Sequence, residues 1–376
     1  MIVLYLTHSF KLKSMRNKIL LISLLLFFPL SNLIAQHLKP GFDKAEYIQM
    51  CYVNARQADT NYSNRFPEPT NFRKEYRSPN VGFENRWDLW VSDDSVAVIG
   101  IRGTVGTKQS WLANFYAAMV PAKGELILSA KDTFKYELCD NPQAAVHVGW
   151  LLATAYMAND MLQKIDSCYS KGIKEFIITG HSQGGGIVFL TTAYLYSLQK
   201  QKRIPVDVRF KTYCSAAPKP GNLYFAYEYE NMTRDGWAYN VVNSADWVPE
   251  TPVSIQTAND FNTTNPFVNA KKSIRKAKFP TDFVILYVYN RLDKSTKRAE
   301  RKYEKYLGRV ASKIVRQDLK EYQPPAYFNS SYYVRTGNTI VLLADEDYYK
   351  IYPDSKSNIF IHHFFEPYLY LMQKRQ

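Results

Sequence analysis

The sequence predicts an α/β fold: a mostly parallel central sheet with helices on both faces, plus a basic helical insertion. Three observations predict it. Apolar β-type runs alternate with helix-compatible segments from Arg86 to Asn243, the pattern of a parallel sheet covered on both sides. The run Phe176-Ile-Ile-Thr179 enters Gly180-His-Ser-Gln-Gly184, and an apolar, helix-compatible stretch, Ile187 to Leu198, follows at once. Finally, Lys271 to Lys320 holds sixteen Lys or Arg against five Asp or Glu, so most of the formal +14 of this 376-residue chain is local.

At the amino end, Lys11, Lys13, Arg16 and Lys18 precede an unbroken apolar run, Ile19 to Leu30, and small or polar residues follow to Ala35-Gln36. This is a secretory signal pattern, too short for a comfortable membrane span, and cleavage near Ala35 is expected. Met15 is an alternative start, since a charged front and an apolar core already follow it. No Cys follows the apolar run, which argues against a lipid anchor. The expected product is exported, periplasmic or secreted, with residues 36–376 as one domain and an insertion at about 253–330.

Asp43 to Arg56 reads as a helix. Arg86 to Val91 and Val96 to Ile101 read as strands joined by the turn Ser92-Asp-Asp-Ser95. A helix is expected from about Val148 to Lys164, then the strand at Phe176, the helix after Ser182, a strand from Val206 to Ser215 before Pro218 and Pro220, and another at Asn240 to Asn243. Tyr332 to Arg335 and Thr339 to Leu343, around Thr336-Gly-Asn338, read as a late edge hairpin. Arg291 to Arg316 reads as an exposed basic helix or helix pair, with Phe283 to Tyr289 as the apolar run that packs it down. Attraction of the 271–320 segment to an anionic membrane or lipid surface is the functional alternative. No recognition motif accompanies the charge, so nucleic acid is not an expected partner.

The segment at Ser182 has the form of a nucleophile elbow. A strand-to-helix turn this tight strains the backbone of Ser182, and Gly180 and Gly184 remove side chains that would clash. The Gln183 backbone N–H, at the helix N-terminus, points where an oxyanion would form. A serine nucleophile needs a base and an acid that orients it. His181 should point away from the nucleophile, which leaves His362 and His363. Asp246 follows an apolar strand, and Pro249 and Pro252 stop the ladder just beyond it.

Together these residues resemble the class 3 lipases of the α/β-hydrolase fold. Ile101-Arg-Gly-Thr104 with Trp111 resembles that family's oxyanion loop, and His147-Val-Gly149 the opening of its helix before the elbow. Gly180-His-Ser-Gln-Gly184 resembles Gly-His-Ser-Leu-Gly, and Ala217-Pro-Lys-Pro-Gly-Asn222 resembles x-Pro-Arg-Val-Gly-Asn. Val241-Val-Asn243, Asp246 and Val248-Pro249 resemble its acid loop, Tyr333-Val-Arg-Thr-Gly337 its tyrosine-to-glycine strand, and His363 with Tyr368 its His-x4-Tyr signature. The match covers roughly Asp43 to Pro252 and Tyr332 to Leu371.

The resemblance implies Ser182 as nucleophile, Asp246 as orienting acid and His363, rather than His362, as base and acid. Thr104 and Gln183 would donate backbone N–H groups to the oxyanion, with the Thr104 hydroxyl as an added donor. The family's lid falls at Val105 to Ala145, with Trp111, Leu112, Phe115 and Tyr116 as candidate acyl contacts. The implied substrate is a carboxylic ester, an acylglycerol being the expected type. Gln183 replaces the usual Leu, Trp111 sits one residue later than in fungal members, and the 117 residues from Asp246 to His363 must contain the basic insert.

No metal-ligand spacing is present, and no metal or other cofactor is expected. Cys51, Cys139, Cys168 and Cys214 allow disulfides in an exported protein, but free buried thiols fit equally well. Two other readings remain: a non-catalytic binding protein on a hydrolase scaffold, and an acyltransferase using the same acyl-enzyme.

Overall fold

The computed structural model describes residues 37–375; the expected signal segment, with Met15 and Ala35, lies outside them. From Pro40 on the chain folds as one unit. Its first elements are α1 (Lys44–Ala55), capped by the Asp43 carboxylate on the Glu46 N–H, and the short α2 (Thr60–Ser63). Strands β1 (Phe72–Arg77), β2 (Trp87–Ser92) and β3 (Val96–Ile101) form an antiparallel meander. Helix α3 (Lys108–Phe115) follows. Then come β4 (Met119–Pro121), β5 (Lys123–Ser129), β6 (Asp132–Glu137) and β7 (Ala145–His147). The central run is α4 (Val148–Ser170), β8 (Glu175–His181), α5 (Gln183–Lys200), β9 (Arg209–Ser215), α6 (Leu223–Met232) and β10 (Ala238–Asn243).

Beyond β10 stand α7 (Ala270–Ile274), α8 (Thr281–Glu304), a π turn (Lys305–Val310) and α9 (Ala311–Asp318). Strand β11 (Asn338–Leu342), α10 (Glu346–Ile351) and α11 (Phe365–Lys374) end the described chain. The main sheet has the order β1-β2-β3-β8-β9-β10-β11, parallel from β3 onward. This is an α/β-hydrolase-type sheet.

The pleat assigns its two faces. On β8, Phe176 and Ile178 join the core beside Ile187 and Leu190 of α5, with α4 and α6 behind. Thr179, pointing the other way, accepts a hydrogen bond from Asn54 of α1, and α11 packs beside α1 on that face. Because successive side chains alternate across a strand, one short apolar run serves two helical layers.

Three expectations are corrected here. Tyr332 to Arg335 is not half of a hairpin: β11 runs parallel to β10, from Tyr239 opposite Asn338 to Asn243 opposite Leu342. The backbone around Val334 is instead engaged by Gly221, and Ser331 by Ile255. The turn at Gly337, with φ of +82°, then redirects the chain into the edge of the main sheet.

Much of the Val105 to Ala145 stretch is paired strand that contributes side chains to the core. Only α3 stands as a separate helix near the pocket; β4 pairs with β7, β5 pairs with β6, and Val120, Leu126 and Leu138 are core residues. Tyr116 is fully buried, its hydroxyl in contact with those of Tyr322 at 3.1 Å and Tyr327 at 3.0 Å, so it is no acyl contact.

The run Phe283 to Tyr289 does not pack the insert down. It forms the first turns of α8, and Phe283, Val284, Ile285, Tyr287 and Val288 are exposed. Seven consecutive apolar residues on a helix point all the way round it, so most cannot share one buried face. The insert is anchored further on. The Ala118 N–H bonds the Leu307 carbonyl at 3.0 Å, and Ala311, Ser312 and Val315 are buried. All four cysteines are free and buried.

Glu300 of α8 is buried near Asp260, whose carboxylate is held by the Ser330 hydroxyl at 2.6 Å and the Thr257 N–H at 2.7 Å. Burial, and next the charge of Asp260, raise the Glu300 carboxyl from 4.5 to about 7, with Lys297 and Arg301 opposing. A raised carboxyl binds its proton more tightly in the folded state. Its contribution is therefore full below pH 4.5 and is lost as pH rises towards about 7. We predict that Glu300→Gln removes about 2 kcal/mol of this pH dependence. Thermal melts of both proteins at pH 5 and pH 8 check it; an unchanged difference between the two pH values in the variant would refute it.

Candidate active site

Ser182 occupies the junction of β8 and α5 at φ 61° and ψ −132°. Such a conformation costs a non-glycine residue about 1–3 kcal/mol. The surroundings hold it there: the Ser182 N–H donates to the Ser215 carbonyl at 2.9 Å, and its own carbonyl accepts from Gly186 at 3.1 Å. A β-carbon on Gly180 would lie 2.6 Å from the Gly184 carbonyl oxygen, and one on Gly184 would collide with the Ile101 carbonyl. The glycines are thus required by the approach of β8, α5 and the end of β3, as the motif suggested.

Asp246 follows β10 and is buried. Its Oδ2 accepts from His363 Nδ1 at 2.7 Å and from the Tyr368 hydroxyl at 2.8 Å, and its Oδ1 from the Val248 N–H at 3.0 Å. Those donors compensate the desolvated charge. His362 points elsewhere: its Nδ1 meets the Tyr348 hydroxyl at 2.8 Å and its Nε2 meets Asp354 at 3.0 Å. Of the two neighbouring histidines, then, His363 is the one on the buried carboxylate.

Ser182 and His363 line one pocket of about 310 Å³, together with Gly103, Thr104, Trp111 and His181. Its walls include Tyr62, Phe360, Phe364 and Phe365. Trp111 lies 6.2 Å from the Phe360 ring and 6.1 Å from that of Phe115. The other two lid candidates are not among the lining residues: Leu112 packs against the core, and Phe115 is exposed.

Two positioning groups escaped the sequence reading. His181 turns its ring nitrogens to Ser215 and to the His363 backbone rather than to Ser182. Its Nε2 lies 2.7 Å from the His363 carbonyl and its Nδ1 3.0 Å from the Ser215 hydroxyl. A carbonyl only accepts, so Nε2 carries the proton and Nδ1 accepts from Ser215, whose oxygen meets the Tyr47 hydroxyl at 2.7 Å. Burial, and next the nearby His363, push the His181 pKa well down, so the ring stays neutral and tethers the His363 backbone.

Asn114 is the second. Its amide donates to Thr104 Oγ1 at 3.0 Å, while its Oδ1 accepts from Gln183 Nε2 at 2.9 Å and Trp150 Nε1 at 3.1 Å. Its backbone carbonyl accepts from His147 Nε2 at 3.2 Å, and burial lowers the His147 pKa to about 3, leaving that ring neutral too. Asn114 therefore ties α3, the Thr104 loop and the first residue of α5 together. An Asn three residues past Trp111 carries no signal in one sequence. Among the described residues no three His, Cys, Asp or Glu side chains converge as metal ligands would.

The seven-stranded sheet and the strained serine at the end of β8 define an α/β-hydrolase-type protein. Residues 98–255 match the family model described as Lipase (class 3). The chain is similar to the secreted mono- and diacylglycerol lipase 1 of Fusarium solani, at 29% identity over 175 residues. That match covers 43% of this chain and 48% of the relative, so the chain spans about half the length of the curated relative it matches. Solved structures with a likeness include a fungal lipase–inhibitor complex, at 17% identity over 56% of this chain and 74% of that one, with a TM-score of 0.43. Rhizomucor miehei triacylglyceride lipase is similar at 18% identity over 57% and 77%, with a TM-score of 0.42.

Proposed function

We propose that the protein is an exported serine hydrolase of carboxylic esters, acting on acylglycerol-type lipids through an acyl-enzyme on Ser182. The observation that carries this is the 2.7 Å bond from His363 Nδ1 to buried Asp246, with His363 and the strained Ser182 on one pocket wall. The class 3 family match and a relative that is itself a secreted mono- and diacylglycerol lipase support the substrate class and export.

In this reading His363 Nε2 takes the Ser182 proton as Oγ attacks the ester carbonyl. Asp246 holds Nδ1–H and stabilises the imidazolium. The carbonyl oxygen, now negative, receives the N–H groups of Gln183 and Thr104. Gln183 is the first residue of α5, so its N–H has no carbonyl four residues back within the helix and the helix dipole reinforces it. The Thr104 hydroxyl already accepts from Asn114, which leaves its proton available for the oxyanion. Collapse returns the proton to the departing alcohol; water, deprotonated by His363, then releases the acid. The apolar walls Trp111, Phe360, Phe364 and Phe365 suit an acyl chain.

The test is hydrolysis of nitrophenyl esters across acyl lengths, below and above micelle formation, with fluorophosphonate labelling of Ser182. An unlabelled serine and no turnover would favour a binding protein on this scaffold. Transfer to an added alcohol in preference to water would favour an acyltransferase.

One further expectation tests the Asn114 hub. Asn114→Ala frees the Thr104 hydroxyl and leaves the buried Trp150 Nε1–H unpaired, at about 1–3 kcal/mol, while Gln183 Nε2 keeps only its bond to the Ser110 carbonyl at 2.9 Å. A fall in kcat of about 10–100-fold, with KM changed less than threefold, is expected from steady-state kinetics. A change confined to KM would assign Asn114 to binding instead.

A further inference from the structure

Helix α8 is built with its polarity reversed. The residues turned towards the protein include Asp282, Asn290, Asp293, Thr296, Lys297 and Glu300, with Leu286 and Tyr289 as the apolar exceptions. The outward ones over the first three turns are Phe283, Val284, Ile285, Tyr287, Val288 and Leu292, each 44–66% exposed. Phe279, just before the helix, is 84% exposed. A helix on a soluble core normally shows the opposite arrangement. Water meets the apolar side here.

Charge says what should cover that side. Lys271, Lys272, Arg275, Lys276 and Lys278 precede the apolar turns and are exposed, and Arg291, Lys294 and Arg298 follow them on the exposed side. The Arg291 guanidinium sits 5.1 Å from the Tyr287 ring centre, aromatic and cation side by side. An apolar stripe with Phe and Tyr, bracketed by Lys and Arg, is the composition of a helix lying in the headgroup layer of an anionic bilayer. A second copy of the chain is a poor partner, because pairing would bring two strongly cationic inserts together. The insert also lies outside the matched segment, residues 98–255. Among the described residues no helix is long and apolar enough to cross a membrane.

We propose that the outward face of α8, Phe283 to Leu292 with its flanking cations, docks the protein on an anionic lipid surface. The apolar side chains enter the acyl boundary and the Lys and Arg side chains meet phosphate headgroups. Docking would hold the Ser182 pocket near an aggregated substrate, but the surface contact itself does not rest on the hydrolase reading.

The experiment is co-sedimentation of the Ser182→Ala protein with vesicles of phosphatidylcholine alone or mixed with phosphatidylglycerol. Using that variant prevents vesicle breakdown, and hydrolysis of a soluble ester by the unmodified protein tests the active site separately. Binding should require phosphatidylglycerol and weaken steeply as salt rises. Phe283→Ser with Val288→Ser should lower the affinity at least about tenfold, with the melting temperature and soluble-ester turnover unchanged. Arg291→Gln, Lys294→Gln and Arg298→Gln together should flatten the salt dependence. Equal binding to neutral vesicles, no binding to anionic ones, binding undiminished by the serine pair, or self-association abolished by that pair would each overturn the proposal.

Discussion

Ser182→Ala is expected to lower kcat for a nitrophenyl ester by about 10⁴–10⁶-fold while leaving the fold intact. The loss is large because no nearby group can replace Oγ. Water would have to attack in its place from a site that His363 is not arranged to serve. The residual rate would come from oxyanion donors and substrate positioning alone. The fold should survive for a local reason: the elbow is held by backbone bonds from Ser182 to Ser215 and Gly186, none involving Oγ. Melting temperature and ester turnover measured on one preparation decide the matter, and turnover within tenfold of the unmodified protein would exclude Ser182 as nucleophile.

Asp246→Asn is expected to cost about 10³–10⁴-fold in kcat. The carboxylate accepts from His363, Tyr368 and the Val248 N–H at once. An amide keeps the volume but loses the charge and turns one acceptor into a donor. If that NH₂ faces His363, Nδ1 must become the acceptor, and the proton moves to Nε2, where the base is needed. If it faces Val248 instead, two N–H groups confront each other in a buried space. Either way the imidazolium loses its counter-charge. Fluorophosphonate labelling should slow in parallel with turnover, since both need an activated serine; a variant that labels at the original rate would show that Asp246 is structural.

Much of the site could be read before the fold was known. Gly180, Ser182 and Gly184 are spaced for an elbow, and that spacing has one steric meaning between a strand and a helix. Asp246 could be placed just past an apolar strand, but giving it the acid's role needed the resemblance to a family. Choosing His363 over its neighbour needed the resemblance to a family, because two adjacent histidines present the same chemistry; in the structure Tyr348 and Asp354 engage His362. Asn114 and the tethering role of His181 could not be read, since each acts through atoms distant in sequence. The late hairpin failed for a related cause: local alternation identified Thr339 to Leu343 as strand-like but carried no information on which partner had an open edge.

The sequence by itself determined the strand-to-helix order, the strained serine turn, the carboxylate loop and the placement of positive charge, because these depend on steric limits and periodicity within a few residues. Only the tertiary structure decided which histidine meets Asp246, that much of Val105 to Ala145 is paired strand rather than lid, and which way α8 turns its apolar side. Those outcomes depend on long-range competition for buried space and hydrogen-bond partners, in which residues a hundred or more apart compete for the same contact. The apolar run of α8 loses that competition and faces outward.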